Sequence, residues 1–239
     1  MTKLENKINI DVAEMERAGV NLGHRTSKLH PQMARFTAGI RNTVNVIDLE
    51  KTKQQLEAAL AFIDETIRKG ETILFVSTKI PLKNLVQAIA KDCEMPFVVE
   101  RWLGGTFTNF GVIAKRVQHF KTLRKDKEEN RLDKYTKKER IKIEKEYNDL
   151  KTKFEGIENM DKLPEAVLIC DIVKDDLCLK EAKMKNVKTI AIVDTNANPL
   201  LPDFPICAND DAISAVRYVL DKVKEVILNA KVKDKSEVK

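Results

Sequence analysis

The stretch AVLICDIVKDDLCLKEAKMKNVKTIAIVD, residues 166–194, alternates two short apolar runs with one amphipathic segment. The runs at 166–171 and 188–194 are largely apolar, which is typical of strands covered by helices on both faces of a parallel sheet. The segment between them, at 176–186, has a helical pattern. A strand, a helix and a second strand in this order indicate a doubly wound α/β domain.

The same alternation extends over most of the chain. Further strands are predicted at 44–48, 72–77, 97–99 and 204–207, and further helices at 49–70, 81–92 and 209–230. Gly70 is a typical residue for ending the first of these helices, and Asn209 or Asp210 for starting the last. We expect a mainly parallel sheet with helices on both faces, of the flavodoxin or Rossmann type.

One highly charged segment interrupts this pattern. Between Lys121 and Lys151, 20 of 31 residues are charged, which leaves too few apolar residues for a compact core. Apolar side chains with heptad spacing follow its second half: Ile143, Tyr147, Leu150, Phe154 and Ile157. We therefore expect residues 111–158 to form a helical coiled-coil hairpin, inserted in an α/β domain of residues 1–110 and 159–230. A disordered linker is the alternative, and residues 231–239 are expected to be a flexible basic tail.

The positive charge of the chain is concentrated near its beginning. The net charge is +6, which fits an anionic partner but also occurs on ordinary soluble proteins. Residues 17–47 contain no acidic residue, and GHRTSKLHPQMARF, at 23–36, is predicted to be a basic loop. Such a loop can lie along a phosphate backbone, where Arg and Lys bind the phosphates. A solvated loop with locally bonded histidines is the alternative.

The segment RWLGGTFTNF, residues 101–110, follows a predicted strand and precedes a helix. It therefore lies at the carboxyl edge of the sheet, where open α/β sheets bind ligands. We assign Arg101 to a phosphate contact and the two glycines to a tight turn. Trp102 either packs against the root of the hairpin, which we favour, or stacks on a base. A nucleotide-dependent enzyme is an alternative function, although the glycine-rich nucleotide-binding motifs are missing from the sequence.

Other motifs limit the remaining functions. The four cysteines form no C-x-x-C pair, so the sequence predicts neither a disulfide framework nor a zinc ribbon. No catalytic Ser/His/Asp or Cys/His arrangement is recognisable. The first residues lack an apolar signal core and no run reaches 18 apolar residues, so we expect a reduced, cytoplasmic, soluble protein without a membrane or DNA partner.

Three carboxylates are predicted to meet at one edge of the sheet. Asp194 ends one strand, while Asp210 and Asp211 open a helix just after the next. Such like charges repel and raise a pKa unless a cation lies among them, which Arg25 or protonated His24 would supply. A divalent cation is the sharper alternative, because the carboxylates and the neutral His24 ring would make a zinc site. Helix capping and salt bridges are the simpler interpretation.

Several blocks of the sequence together resemble a known family. AGVNLGHRTSKLHPQM, NVIDLEKT, ERWLGGTFTNF, FEGIENM and EAKMKNVKTIAIVDTNANP occur in this order, and the chain resembles the bacterial small-subunit ribosomal protein two family from about residue 12 to 225. The resemblance implies an α/β domain with a coiled-coil insertion and a structural, non-enzymatic role on 16S ribosomal RNA. It also implies contacts with other small-subunit ribosomal proteins and recruitment of the large ribosomal protein one. An interaction module whose hairpin grips a partner is compatible with this role.

We assign the binding residues on this basis. The expected RNA contacts are Arg17, Arg25, Lys28, His30, Arg35, Arg41, Arg101 and Asn109. Phe36 is assigned to a protein partner. An aromatic residue that is common in the family near Ala38 is missing here, although Phe36 remains. Asn21, Ser77 and Ala208 also depart from the family pattern, which puts in doubt any contact that depends on those side chains.

Overall fold

The computed structural model describes residues 9–129, 131 and 136–237, and these residues form eight strands and seven α-helices. The strands are β1 (Leu22–Arg25), β2 (Thr37–Arg41), β3 (Val44–Ile47), β4 (Ile73–Val76), β5 (Phe97–Val98), β6 (Ala166–Ile169), β7 (Lys188–Val193) and β8 (Phe204–Cys207). The helices are α1 (Val12–Arg17), α2 (Leu49–Arg68), α3 (Lys83–Asp92), α4 (Phe110–Glu128), α5 (Lys137–Phe154), α6 (Asp176–Met184) and α7 (Ile213–Glu237).

Five strands form a parallel sheet in the order β5-β4-β6-β7-β8. Successive residues of β4 point to opposite faces: Ile73 and Phe75 enter one core, and Leu74 and Val76 enter the other. Helices α1, α2, α3 and α7 cover the first face, and α4, α5 and α6 cover the second. The predicted doubly wound α/β fold is confirmed, with the strand order reversing between β4 and β6.

A second, antiparallel sheet has the order β1-β3-β2. The predicted strand at 44–48 lies in this sheet as β3, not in the parallel one. The prediction of a loop at 23–36 is wrong in part, because residues 22–25 form β1 and residues 26–28 and 31–36 form short 3₁₀ turns. Segment 22–25 has no alternation of apolar and polar residues, so its extended form depends on contacts with distant residues.

Helices α4 and α5 lie side by side and run antiparallel. Along α4, His119 Nε2 lies 3.1 Å from Glu146 Oε1, and Lys127 Nζ donates to Glu144 Oε1 at 3.2 Å. At their inner ends, Phe120 stacks on Tyr147 with ring centroids 5.7 Å apart. The inner ends enter the second core through buried side chains: Ile113, Val117, Phe120, Leu150 and Phe154. The segment that joins the two helices falls mostly outside the described residues, and the domain boundaries at 111 and 158 stay predictions.

The last helix differs from its prediction at both ends. Helix α7 begins at Ile213, since the Asn209 side chain accepts hydrogen bonds from the amides of Asp211 and Ala212 in a preceding turn. It continues to Glu237, past its predicted end at residue 230, and the flexibility of the tail stays a prediction. Among the described residues, no helix is both long and apolar enough to span a membrane.

Candidate functional site

Two arginines of the acid-free segment share one face of the antiparallel sheet. Arg25 of β1 and Arg41 of β2 both lie opposite Val44 of the central strand β3. Residues directly opposite each other in an antiparallel pair point to the same face. Both arginines are exposed, whereas Asn45 and Ile47 of β3 are buried on the other face. The sheet therefore presents two guanidinium groups to solvent on one side and packs with the other.

The antiparallel sheet is attached to the carboxyl end of β7 through Thr195. The Thr195 hydroxyl accepts from the His24 amide at 2.7 Å, and its carbonyl accepts from the His30 amide at 2.8 Å. A Cβ atom added to Gly23 would lie 2.4 Å from Thr195 Cγ2, so this close approach requires glycine. The basic segment is thus held in place by the parallel sheet.

The other assigned RNA contacts lie on several elements. Lys28 and Arg35 lie between Arg25 and Arg41 in the sequence, and both are exposed. The His30 Nδ1 atom accepts a hydrogen bond from the Gln32 amide at 3.2 Å. Arg17 is exposed on α1, where its Nε donates to the Ala13 carbonyl.

Phe36, assigned to a protein partner, is half-buried against Met33, Ile47 and Cys207. The Arg35 guanidinium lies 5.0 Å from the centre of the Phe36 ring. The outer part of this ring therefore lies in a basic, accessible setting.

His24 meets two of the three predicted carboxylates. Its Nδ1 lies 3.1 Å from Asp194 Oδ2, and its Nε2 lies 3.4 Å from Asp211 Oδ2. One ligand atom from each of the three residues lies within 4.8 Å of the other two. The hydrogen bond with Asp194 raises the pKa of His24, although burial opposes the rise. These three residues help to line a cavity of about 330 Å³, with Arg25 and Lys28 on its wall.

Asp210, the fourth predicted metal ligand, is not in this group. Its carboxylate accepts from Lys79 Nζ at 2.9 Å, and the same ammonium lies 3.2 Å from Asp171 Oδ2 and 2.6 Å from Asp211 Oδ1. The expected cation among the carboxylates is therefore the Lys79 ammonium, which was not predicted, whereas Arg25 forms no ion pair with them in the described part of the chain. Lys79 follows β4 and Asp171 follows β6, so they meet at the point where the strand order reverses.

The charges of this cluster set unequal pKa values. Burial and the Asp171 carboxylate raise the pKa of Asp210 to about 7, and Lys79 offsets this rise only in part. The hydrogen bond from Lys79 holds the pKa of Asp211 below its usual range. Burial acts to lower the pKa of Lys79, but hydrogen bonds to Asp211 and Asp210 raise it overall. The pKa values of two adjacent aspartates are therefore shifted in opposite directions.

The double-glycine segment binds an anion, but the anion belongs to the protein itself. The Glu181 carboxylate, on α6, accepts from the amides of Gly105 at 2.7 Å, Phe107 at 2.9 Å and Thr108 at 3.1 Å. Gly105 has a φ of +93°, which favours glycine. These amides are therefore satisfied within the chain, which argues against a nucleotide phosphate at this loop.

Trp102 packs inside the protein, as we favoured. It is 6% exposed, and its ring meets Phe107 edge-on with centroids 4.9 Å apart. Its indole Nε1 donates to Glu181 at 3.3 Å. Arg101 and Asn109, at the two ends of the segment, are exposed, and Asn109 is the residue that precedes α4. Trp102 and Phe107 of this segment are therefore buried, whereas Arg101 and Asn109 at its ends are exposed to solvent.

Comparison with known proteins identifies the family. Residues 15–230 match the family described as Ribosomal protein S2. The chain is 35% identical over 222 residues to the small ribosomal subunit protein uS2 of Coprothermobacter proteolyticus, which covers 93% of this chain and 83% of that protein. It is 36% identical over 223 residues to the protein of the same name from Francisella tularensis subsp. novicida, covering 93% of both chains. The chain belongs to the ribosomal protein S2 family.

Proposed function

We propose that the protein is a structural constituent of the small ribosomal subunit and binds 16S ribosomal RNA through the exposed face of β1–β3. The observation that carries the RNA contact is the placement of Arg25 and Arg41 opposite Val44 in an acid-free segment. Two guanidinium groups on one face of the sheet suit neighbouring phosphates, because Arg pairs with phosphate oxygens in a bidentate geometry. Family membership makes the protein a ribosomal component and not an enzyme.

Removal of these two charges tests the RNA contact. The variant Arg25→Gln/Arg41→Gln is expected to bind 16S ribosomal RNA at least about tenfold more weakly than the wild type, since each charge-assisted hydrogen bond contributes about 1.5 kcal/mol or more. Arg68→Gln/Lys69→Gln is the matched two-charge control, because both residues are exposed at the far end of α2, about 28 Å from its start. Equal binding of the two double variants would contradict the assignment.

We also propose that the surface around Phe36 receives another ribosomal protein, the large ribosomal protein one. The half-buried ring with a guanidinium beside it offers an apolar contact next to a positive charge. Phe36→Ala should weaken the retention of protein one on purified subunits, while leaving the content of the chain itself unchanged. Equal retention of protein one by both kinds of subunit would exclude Phe36 from that contact.

A third proposal concerns a divalent cation, zinc, at His24, Asp194 and Asp211. The donor set fits, because an imidazole nitrogen and carboxylate oxygens are zinc ligands, and tetrahedral ligands lie about 3.3 Å apart. The contacts of 3.1 and 3.4 Å are close to that spacing. Asp194 lies at Nδ1 of the His24 ring and Asp211 at Nε2. Because only one ring nitrogen can bind the ion together with both carboxylates, His24 must give up its contact with one of them. The metal would neutralise the two carboxylates and fix β1 against the parallel sheet.

We place the protein on cytoplasmic ribosomes. The basic chain and the family membership support this location. Fractionation of cells into ribosomes, membranes and free protein tests it, with the chain expected in the ribosomal fraction.

A further inference from the structure

The carboxylate of Glu181 lies at the centre of a loop that carries an assigned RNA contact at each end. Besides the three amides of Gly105, Phe107 and Thr108, it accepts from the Trp102 indole and, at 3.1 Å, from the Thr108 hydroxyl. Glu181 is 4% exposed, whereas the other charged residues of α6, Asp176, Lys180 and Lys183, are exposed. Five hydrogen bonds from a segment of seven residues define the shape of that segment around one charge.

The chemistry of the contacts requires an anion at this position. Backbone amide N–H groups and an indole N–H can only donate hydrogen bonds. A carboxylate can only accept them, so it satisfies all of these donors. Burial acts to raise the pKa of Glu181, but the hydrogen bonds from Gly105, Thr108 and Phe107 hold it below its usual value. A glutamine would place its own N–H₂ group against these donors and would leave at least one buried amide without an acceptor.

Arg101 is adjacent in sequence to a residue that Glu181 holds in place. It directly precedes Trp102, whose indole is bonded to Glu181 and whose ring packs on Phe107. Arg101 lines a cavity of about 200 Å³ at the root of the hairpin, together with Lys151 and Lys153. The acidic Glu100 in the same cavity is engaged by Lys83 at 2.5 Å. Glu155 is a second acidic residue of this cavity, so three basic side chains accompany two acidic ones and the net charge of the lining is positive. The exposed Arg101 therefore lies at a recess whose charge suits a phosphate.

We propose that Glu181 is a positioning residue for RNA binding: its buried charge shapes the 102–108 loop and thereby fixes Arg101 for contact with an RNA phosphate. This inference rests on the proposed function, since it assumes that the chain binds ribosomal RNA. It assigns to an acidic residue, which itself repels RNA, a favourable effect on RNA affinity.

A double-mutant cycle tests the proposal with the full chain and 16S ribosomal RNA. In the wild-type background, Arg101→Gln should weaken binding about tenfold, as expected for a charge-assisted hydrogen bond. In the Glu181→Gln background, which should itself bind several-fold more weakly, Arg101→Gln should have little further effect. Arg41→Gln should keep its full effect in both backgrounds, because Arg41 lies on β2 in the antiparallel sheet and is not among the residues that donate to Glu181. Glu57→Gln, an exposed charge loss on α2, controls for net charge.

Each outcome separates the proposal from its alternatives. Equal effects of Arg101→Gln in both backgrounds would overturn the positioning role, even where RNA binding itself is normal. So would a Glu181→Gln variant that binds as tightly as Glu57→Gln. Loss of the Arg41 effect together with the Arg101 effect would show general unfolding and would also overturn it. A wild-type chain that does not bind the RNA would instead contradict the proposed function.

A second measurement follows the loop without RNA. Amide hydrogen exchange of Gly105, Phe107 and Thr108 should accelerate at least about tenfold in Glu181→Gln, because their acceptor is lost. Adding acetate to Glu181→Ala should slow the exchange again, with chloride at the same ionic strength as the control. Unchanged exchange in Glu181→Gln would contradict the assigned role of this charge.

Discussion

The ammonium of Lys79 lies 2.9 Å from the Asp210 carboxylate, although 131 residues separate the two in sequence. The same ammonium reaches Asp171 and Asp211, so one cation joins the ends of β4 and β6 to the segment before α7. The contact brings opposite charges together at the carboxyl edge of the sheet. The contribution of this contact to the free energy of unfolding depends on pH, because burial raises the pKa of Asp210, whereas Asp211 is exposed.

The first prediction is that Asp210→Asn gains stability relative to the wild type as the pH rises. Burial raises the pKa of Asp210 from 3.8 to about 7, so its ionisation in the folded state costs free energy. The stability associated with the protonated form is present below pH 4 and is lost as the pH rises through 7. Between pH 5 and 8, the free energy of unfolding of Asp210→Asn minus that of the wild type should increase by about 2 kcal/mol.

Asp211→Asn is the matched control for this measurement. The pKa of Asp211 is lowered, so its ionised form is favoured by folding and stays ionised throughout pH 5–8. The cost of Asp211→Asn should therefore be nearly constant over this range. Urea unfolding at pH 5, 6.5 and 8 measures both variants, and a difference for Asp210→Asn that does not change with pH would contradict the assigned pKa.

A second prediction concerns the hairpin. Replacing residues 126–145 with a short glycine–serine linker should keep a single cooperative unfolding transition and lower the free energy of unfolding by less than about 1 kcal/mol, since this outer part contributes little to the core. It leaves Phe120, Tyr147 and Arg124 in place, and Arg124 pairs with Glu158. In contrast, Phe120→Ala should cost about 3 kcal/mol, because this ring is 1% exposed. Loss of the cooperative transition in the deletion variant would mean that the whole hairpin belongs to the core.

Salt dependence provides a third prediction. If Arg25, Lys28, Arg35, Arg41 and Arg101 each neutralise one phosphate, the logarithm of the binding constant for 16S ribosomal RNA should fall with the logarithm of salt at a slope of about −3.5 to −4.5. Arg25→Gln/Arg41→Gln should reduce the steepness by about 1.4 to 1.8. Filter binding at several potassium chloride concentrations, with magnesium held constant to preserve the RNA fold, gives both slopes. A slope near zero for the wild type would rule out the electrostatic contact.

The fourth prediction separates the three grouped metal ligands from Asp210. Protein purified without a histidine tag and loaded with zinc should retain about one ion, as expected for a site with three protein ligands. Asp211→Ala should lose this ion, whereas Asp210→Asn should keep it, since a ligand atom of Asp211 lies within 4.8 Å of those of His24 and Asp194 and Asp210 is not in this group. Elemental analysis after gel filtration measures the content. Equal zinc in wild type and Asp211→Ala, or none in the wild type, would contradict the site.

The parallel sheet could be predicted because its strands are continuous apolar runs. Residues 166–169 and 188–193 occur as β6 and β7 within the predicted bounds, since burial on both faces leaves a strong local signal. The antiparallel sheet was harder to predict. Its first strand, LGHR, has no apolar alternation, and its position depends on hydrogen bonds of His24 and His30 to Thr195, more than 160 residues away.

Two functional side chains gave no clear signal in the sequence. Lys79 follows a buried strand, and this position at the carboxyl edge was the available indication of its contact with the aspartates. Glu181 lies in a charged helix and is indistinguishable from a solvent-exposed residue until α6 packs on the 102–108 loop. The proximity of His24, Asp194 and Asp211 was predicted from the rule that parallel strands end at one edge of a sheet. The direction of the Asp210 side chain was not, because it depends on the contact with Lys79.

Sedimentation shows whether this chain is a component of the small ribosomal subunit. Cell extracts are separated on sucrose gradients at low magnesium, which dissociates the two subunits, and the chain is quantified in each fraction. We predict that it sediments with the small subunit in about equimolar amount to 16S ribosomal RNA, and that Arg25→Gln/Arg41→Gln shifts part of it to the top of the gradient. A wild-type chain found only at the top of the gradient would contradict the account.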